Sequence, residues 1–124
     1  MKFAPTRDAH VLITGATGFV GKVVLEELLR RRLEFGIEQV YVFVRAKKGH
    51  KPEQRFHQEI ASSQCFSLLT DDQVKRCRVV AGELTQPDCG LSKADLDLLA
   101  DKVTHIVHVA ASIEFDLPLH EAAA

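Results

Sequence analysis

The sequence predicts an α/β fold: a partial doubly wound parallel sheet with strand order 3-2-1-4, truncated after its fourth strand. Three observations predict it. Short β-branched apolar runs at His10–Thr14, Gln39–Arg45, Arg78–Gly82 and Val103–Ala110 alternate with segments of helical period. That is the pattern of parallel strands joined by right-handed crossovers. The second run is apolar nearly throughout, as strands covered on both faces are. The first run ends in a glycine-rich turn, Gly15-Ala-Thr-Gly18, from which a helix opens. Composition agrees: 46% hydrophobic and 27% charged residues is ordinary for a globular protein and excludes disorder. A net charge of -1 leaves no basic field to hold nucleic acid or an anionic membrane surface, and no apolar run is long enough to be a membrane segment.

The elements follow in order. After the first strand and its turn, Phe19 to Arg32 reads as an amphipathic helix. Val20, Val23, Val24, Leu28 and Leu29 form its apolar face, with Glu26, Glu27, Arg30 and Arg31 largely opposite. Arginines at its end suit the helix dipole, and Gly36 suits a stop. Ala46 to Pro52 is a basic loop. Glu53 to Leu69 reads as a helix burying Phe56, Ile60 and Phe66. Thr70-Asp-Asp-Gln73 is a capping box that opens another short helix. Ser92-Lys-Ala-Asp95 is a second capping signature, opening a helix through Leu96 and Leu99. Glu121 to Ala124 reads as a helix cut off in mid-turn, which leaves the fourth strand as an uncovered apolar edge. Residues 1–124 are therefore expected to be an incomplete domain from a longer protein.

The most informative stretch is Thr14-Gly15-Ala16-Thr17-Gly18-Phe19-Val20-Gly21. Gly15 permits the tight turn off the strand, Gly18 clears the way for a pyrophosphate, and Gly21 lets the helix pack closely on the sheet. The amides around Phe19 and Val20 are free to donate to phosphate oxygens, with the helix dipole behind them. The spacing, G-x-x-G-x-x-G, is one residue longer than G-x-G-x-x-G. Strand, turn and helix nonetheless agree on a Rossmann-like dinucleotide-binding unit.

A second feature selects among dinucleotides. NAD-binding units usually carry an acid at the end of the second strand, to hold the adenosine ribose. Here Arg45 stands there, followed by Lys47, Lys48 and Lys51. A guanidinium can hold a 2′-phosphate by two parallel charge-assisted bonds, where an acid would repel it. NADPH is the expected cofactor, with Arg45 and Lys48 as its selectors. A solvated basic loop accounts equally well for the lysines. Glu83 and Leu84 after the third strand, and Ala110 and Ala111 after the fourth, lie at strand ends where ligands of open sheets bind. Glu83 could accept from the adenine amino group, and the alanines would let a dinucleotide approach the backbone. Ordinary turn residues would look the same.

The three cysteines, Cys65, Cys77 and Cys89, form no C-x-x-C pair. They read as reduced, mostly packed thiols in an intracellular, reducing compartment rather than as metal ligands. His105 and His108, three apart in a strand, point to opposite faces and cannot share an ion. No metal site is expected.

Five segments, VLITGATGFVGKVVLEELLR, VYVFVRAKKG, Arg55-Phe56, VVAGELTQPDCGLS and HIVHVAASIEFDLPL, together resemble the N-terminal part of fatty acyl-CoA reductases, in the extended short-chain dehydrogenase superfamily. The resemblance runs from His10 to Glu121. It implies NADPH-dependent reduction of a long-chain acyl-CoA to a primary alcohol by two hydride transfers. It also implies a parent protein at a peroxisomal, endoplasmic-reticulum or plastid membrane. The family usually has Asp where this chain has Glu83. Its catalytic Tyr-x-x-x-Lys pair is not matched: the one tyrosine, Tyr41, is followed four residues on by Arg45. The resemblance therefore assigns no catalytic residue here and places the pair beyond residue 124, so the chain alone is expected to be inactive. Two other readings share the motifs. One is the thioester-reductase domain of a carboxylic acid or peptide-synthesising enzyme. The other is a non-catalytic NADPH-binding sensor module.

Overall fold

The structure, a computed structural model, describes residues 8–45, 49–83 and 85–109. Its centre is a four-stranded sheet in the order β3-β2-β1-β4, built from β1 (Ala9–Thr14), β2 (Ile37–Val44), β3 (Cys77–Ala81) and β4 (His105–His108). All pairings are parallel, with Ile13 opposite Val42 and Val107, and Val42 opposite Val79. The expected fold class and strand order are both present.

Alternation along the strands makes two apolar layers. On one face Val11, Ile13, Val40, Val42 and Val44 pack with Leu25 and Leu29 of α1 (Phe19–Arg30) and with Phe56, Ile60 and Phe66 from the β2–β3 connection. On the other, Tyr41, Phe43 and Val80 meet Leu99 of α5 (Lys93–Lys102), with Leu12 against them. This two-sided burial is why β2 runs apolar and buried from Val40 to Val44, the Tyr41 hydroxyl apart. β4 is less covered, and Ile106 is 67% exposed.

Three expectations need correction. First, the α1 helix ends at Arg30. Arg31 leaves helical geometry, a further turn α2 (Arg32–Phe35) follows, and the left-handed Gly36, at φ 68°, stops that turn. Second, the inward stripe is Gly21, Leu25 and Leu29, while Val20 and Val23 are exposed. Third, Glu53–Leu69 is not one helix. It breaks into α3 (Pro52–Arg55), a π-helical turn at Phe56–Ala61 and a 3-10 turn at Gln64–Phe66. Ser62 and Ser63 account for the stop after Ala61: their hydroxyls donate to the carbonyls of Gln58 and Ile60, the side-chain competition that ends helices. The three aromatic and aliphatic residues expected in this core, Phe56, Ile60 and Phe66, are nonetheless buried.

Both capping signatures form. Gln73 N–H donates to Thr70 Oγ1 at 3.2 Å, and Gln73 Oε1 accepts from Thr70 N–H at 2.8 Å, opening α4 (Asp71–Val74). Asp95 N–H donates to Ser92 Oγ at 3.1 Å and opens α5. All three cysteines are free thiols.

Two predictions follow from this packing. Leu25→Ala should lower the unfolding free energy by about 2–5 kcal/mol, and Val23→Ala by no more than about 0.5 kcal/mol, measured by denaturant titration. Burial pushes the Cys77 thiol from 9.0 up to about 12. The unfolded chain therefore releases this proton first as pH rises, and the folded state keeps it. The stability it contributes is intact below pH 9 and lost between there and about 12. Replacing Cys77 with Val should flatten the alkaline limb of a stability–pH curve.

Candidate functional site

The turn after β1 is built almost wholly from main chain. Gly15 has φ 83°, a left-handed conformation that a side chain would strain. Gly18 N–H closes the turn on Gly15 C=O at 3.2 Å, and Lys22 N–H makes a bond to Gly18 C=O at 3.0 Å. The amides of Phe19, Val20 and Gly21 lie in the first turn of α1, where a helix has no carbonyl to offer them. That first turn holds no acidic side chain, so its positive end is uncompensated.

The glycines differ in what requires them. A Cβ at position 21 would collide with the Gly15 carbonyl oxygen and stand 2.8 Å from Ala16 Cα. Gly21 thus lets the helix seat on the turn that leaves β1. Gly18 is different. Its φ of -80° suits any residue, and a Cβ there would meet only Gly15 O, at an ordinary 3.5 Å. Among the described residues nothing forbids a side chain at 18, and the position is exposed. That bare surface with its donors fits a diphosphate. The side chains of Phe19 and Val20 are exposed, so these residues offer the site their main chain. Thr17 is half-buried in the turn.

The second cluster stands at the ends of β2 and β3. Arg45 follows β2 directly, with its side chain 63% exposed. Its carbonyl accepts from Arg55 Nη1 at 2.6 Å. Arg55 is itself buried and paired through Nε with Glu59 Oε2 at 2.6 Å. Arg45, Ala81, Gly82, Glu83, Gln86 and Gly90 line a cavity of about 290 Å³. Its wall is a strained loop: Asp88, Cys89 and Gly90 run consecutively at φ 52°, 56° and 62°, a conformation that costs free energy at the two non-glycine positions. Gly82 is required by packing, since a Cβ there would run into the Phe43 ring and stand 2.6 Å from Cys89 O.

Among the predicted site residues, Thr14, Gly15, Thr17, Gly18, Phe19, Val20 and Gly21 form one continuous turn, and Arg45 and Glu83 meet across the cavity. Lys48, Leu84, Ala110 and Ala111 lie outside the described residues. Glu83 Oε2 faces Arg45 Nη1 at 3.6 Å, and its Oε1 accepts from Thr85 Oγ1 at 3.2 Å. Thr14 is buried, with Oγ1 2.6 Å from His108 Nδ1, so its hydroxyl ties β1 to β4. Sequence reasoning missed Arg55, His108 and Gln86. An i,i+4 Arg55–Glu59 pair was visible in the sequence, but its grip on the Arg45 carbonyl was not. Tyr41 is buried in β2 with its hydroxyl 3.1 Å from His10 Nδ1, and burial raises its pKa.

Residues 13–124 match the model of an NAD-binding family described as Male sterility protein. The chain is 43% identical to fatty acyl-CoA reductase 1 of Xenopus laevis and 41% identical to that of Homo sapiens, each over 91% of this chain and 22% of the relative. It thus spans about a fifth of the length of the curated relatives it matches. Among solved structures, the terminal R domain from the myxalamid PKS-NRPS biosynthetic pathway superposes with a TM-score of 0.73 at 30% identity, covering 98% of this chain and 29% of that one. The reductase domain of a nonribosomal peptide synthetase from Mycobacterium tuberculosis gives 0.65 at 35% identity, covering 88% and 26%.

Gly18→Asp separates the two demands on the turn. Aspartate is a favoured N-cap and complements the dipole, so the melting temperature should hold or rise slightly. The carboxylate would take the amides and repel a diphosphate, so calorimetric affinity for a reduced nicotinamide dinucleotide should fall by about tenfold or more.

Proposed function

The chain belongs to the male sterility protein family of NAD-binding domains, and from that membership we propose that it is the cofactor-binding part of an NADPH-dependent fatty acyl-CoA reductase. The observation that carries this reading is 43% identity to fatty acyl-CoA reductase 1 across 91% of the chain. The substrate we propose is a long-chain acyl-CoA thioester. Four-electron reduction to the primary alcohol would consume two NADPH and two protons and release the free thiol of coenzyme A.

Bound NADPH would supply hydride. The chain's own residues bind and orient. The amides at 19–21, on the bare shelf left by Gly18, would take the diphosphate. Thr14, through His108, would hold the end of β1 under that shelf, with Thr17 in the turn itself. The Arg45 guanidinium, at the cavity beyond β2, would take the 2′-phosphate, and Arg55 would fix the main chain from which it projects. We assign Lys48, Leu84, Ala110 and Ala111 to the same cofactor from sequence position alone. Tyr41 is given no role in proton donation: it is buried, and its hydroxyl faces His10 rather than the cavity. We also propose that the protein works inside the cell, at a peroxisomal, endoplasmic-reticulum or plastid membrane, where its free thiols stay reduced.

Superposition on reductase domains of peptide-synthesising assemblies favours a second reading, in which the acyl group arrives on a carrier protein. The higher identity to the acyl-CoA enzymes supports the first reading over it. Offering the full-length protein acyl-CoA and carrier-bound acyl thioester side by side decides between them.

Arg45→Glu in the full-length protein tests the choice of cofactor. A lost charge-assisted bond is worth about 1.5–3 kcal/mol, so NADPH binding should weaken about ten- to hundredfold or more, while NADH binding changes little. Equal losses for both would remove Arg45 from the 2′-phosphate.

A further inference from the structure

We propose that Glu83 is a built-in competitor for Arg45, so that the protein takes up a 2′-phosphate by exchanging one anion for another at the same guanidinium. This rests on the assignment of Arg45 to the 2′-phosphate. The carboxylate is not there by chance rotation. Its Oε1 accepts from the Thr85 hydroxyl at 3.2 Å and from the Thr85 amide at 3.5 Å, which leaves Oε2 turned to Arg45 Nη1 at 3.6 Å. The main chain beneath it is fixed as well. Glu83 N–H donates to Cys89 C=O at 2.7 Å, and Gln86 N–H donates to Glu83 C=O at 3.0 Å. The left-handed run Asp88–Gly90 brings the loop back onto it: a Cβ at Gly90 would stand 2.9 Å from Glu83 N. A strained loop thus holds a carboxylate beside the guanidinium that the 2′-phosphate reading assigns.

The sign of the effect follows from charge. A 2′-phosphate carries close to two negative charges near neutral pH. To reach Arg45 it must displace the carboxylate and then remain within a few ångströms of it. NADH brings only a ribose hydroxyl to the same place, which can donate to a carboxylate. Glu83 therefore opposes NADPH and is neutral or mildly favourable to NADH, and it moderates the preference that Arg45 creates. The size is bounded by exposure. Arg45 is mostly in solvent, so the pair is screened, and exposed pairs of this kind shift an equilibrium by up to about fivefold.

The test is titration of NADPH and NADH into the full-length protein, comparing wild type, Glu83→Gln, Glu83→Asp and Glu83→Gln combined with Arg45→Met. The amide keeps the shape and the Thr85 bonds. We expect Glu83→Gln to bind NADPH about two- to fivefold more tightly and NADH no more tightly, with Glu83→Asp changing in the same direction. The gain should shrink when Arg45 is also replaced. If wild type prefers NADPH but Glu83→Gln binds it no better, or binds both dinucleotides better by the same factor, the exchange is wrong and the Arg45 assignment stands. A gain that persists undiminished in the Arg45→Met background also overturns the exchange. If wild type shows no preference for NADPH, the Arg45 assignment falls and takes the exchange with it.

Discussion

The close approach of two stretches of main chain, at Gly15–Ala16 and Gly21, is the constraint on which the site depends. Helix α1 starts where it does only because position 21 has no side chain to strike the Gly15 carbonyl. That seating fixes the direction of the helix axis relative to β1, and so fixes where its unpaired amides point. A phosphate site made of amides cannot be adjusted by rotating a side chain. Its precision comes from backbone placement. The buried Thr14–His108 contact extends the same logic sideways by tying the end of β1 to β4 at the point where the strand order reverses. In open sheets of this kind, that reversal is where ligands lie.

The two halves of the site solve different problems with different materials. The glycine turn is uncharged and rigid, and suits any diphosphate. The cluster beyond β2 and β3 is charged and partly solvated, and can discriminate. Between them run β1 and β2, whose register places Thr14 beside Phe43, two residues before Arg45. A shift in that register would carry the arginine away from the turn and turn the alternating side chains over. The two apolar layers, one against α1 and one against α5, resist such a shift. Core packing is thus what sets the spacing between the glycine turn and Arg45.

Much of this was legible in the sequence, for identifiable reasons. The strands showed because two-sided burial leaves an unbroken apolar run, and the turn showed because its glycines are required by main-chain geometry. Capping at Thr70 and Ser92 showed because it is local chemistry within four residues. Legibility failed where the deciding contact was tertiary. Periodicity put Val20 and Val23 on the buried face of α1, but seating the helix on the turn rotated Gly21 and Leu25 inward instead. Glu53–Leu69 read as one helix burying Phe56, Ile60 and Phe66, while two consecutive serines bonding backward stop it after Ala61. Glu83 was legible as an acceptor but not as a partner of Arg45, because the residues are 38 positions apart and meet only through the β2–β3 pairing.

The buried and exposed arginines show how placement divides one residue type into two tasks. Arg55 is nearly dry and donates to the Arg45 carbonyl and the Glu59 carboxylate. Such a group is costly to displace and serves to hold structure. Arg45 is mostly in solvent, with the Glu83 carboxylate at 3.6 Å, a contact weak enough to be exchanged. A recognition residue must be able to give up one partner for another without unfolding its surroundings. Arg55 pins the Arg45 main chain while the Arg45 side chain stays free to change partners, so rigidity below and exchangeability above belong to the same few residues.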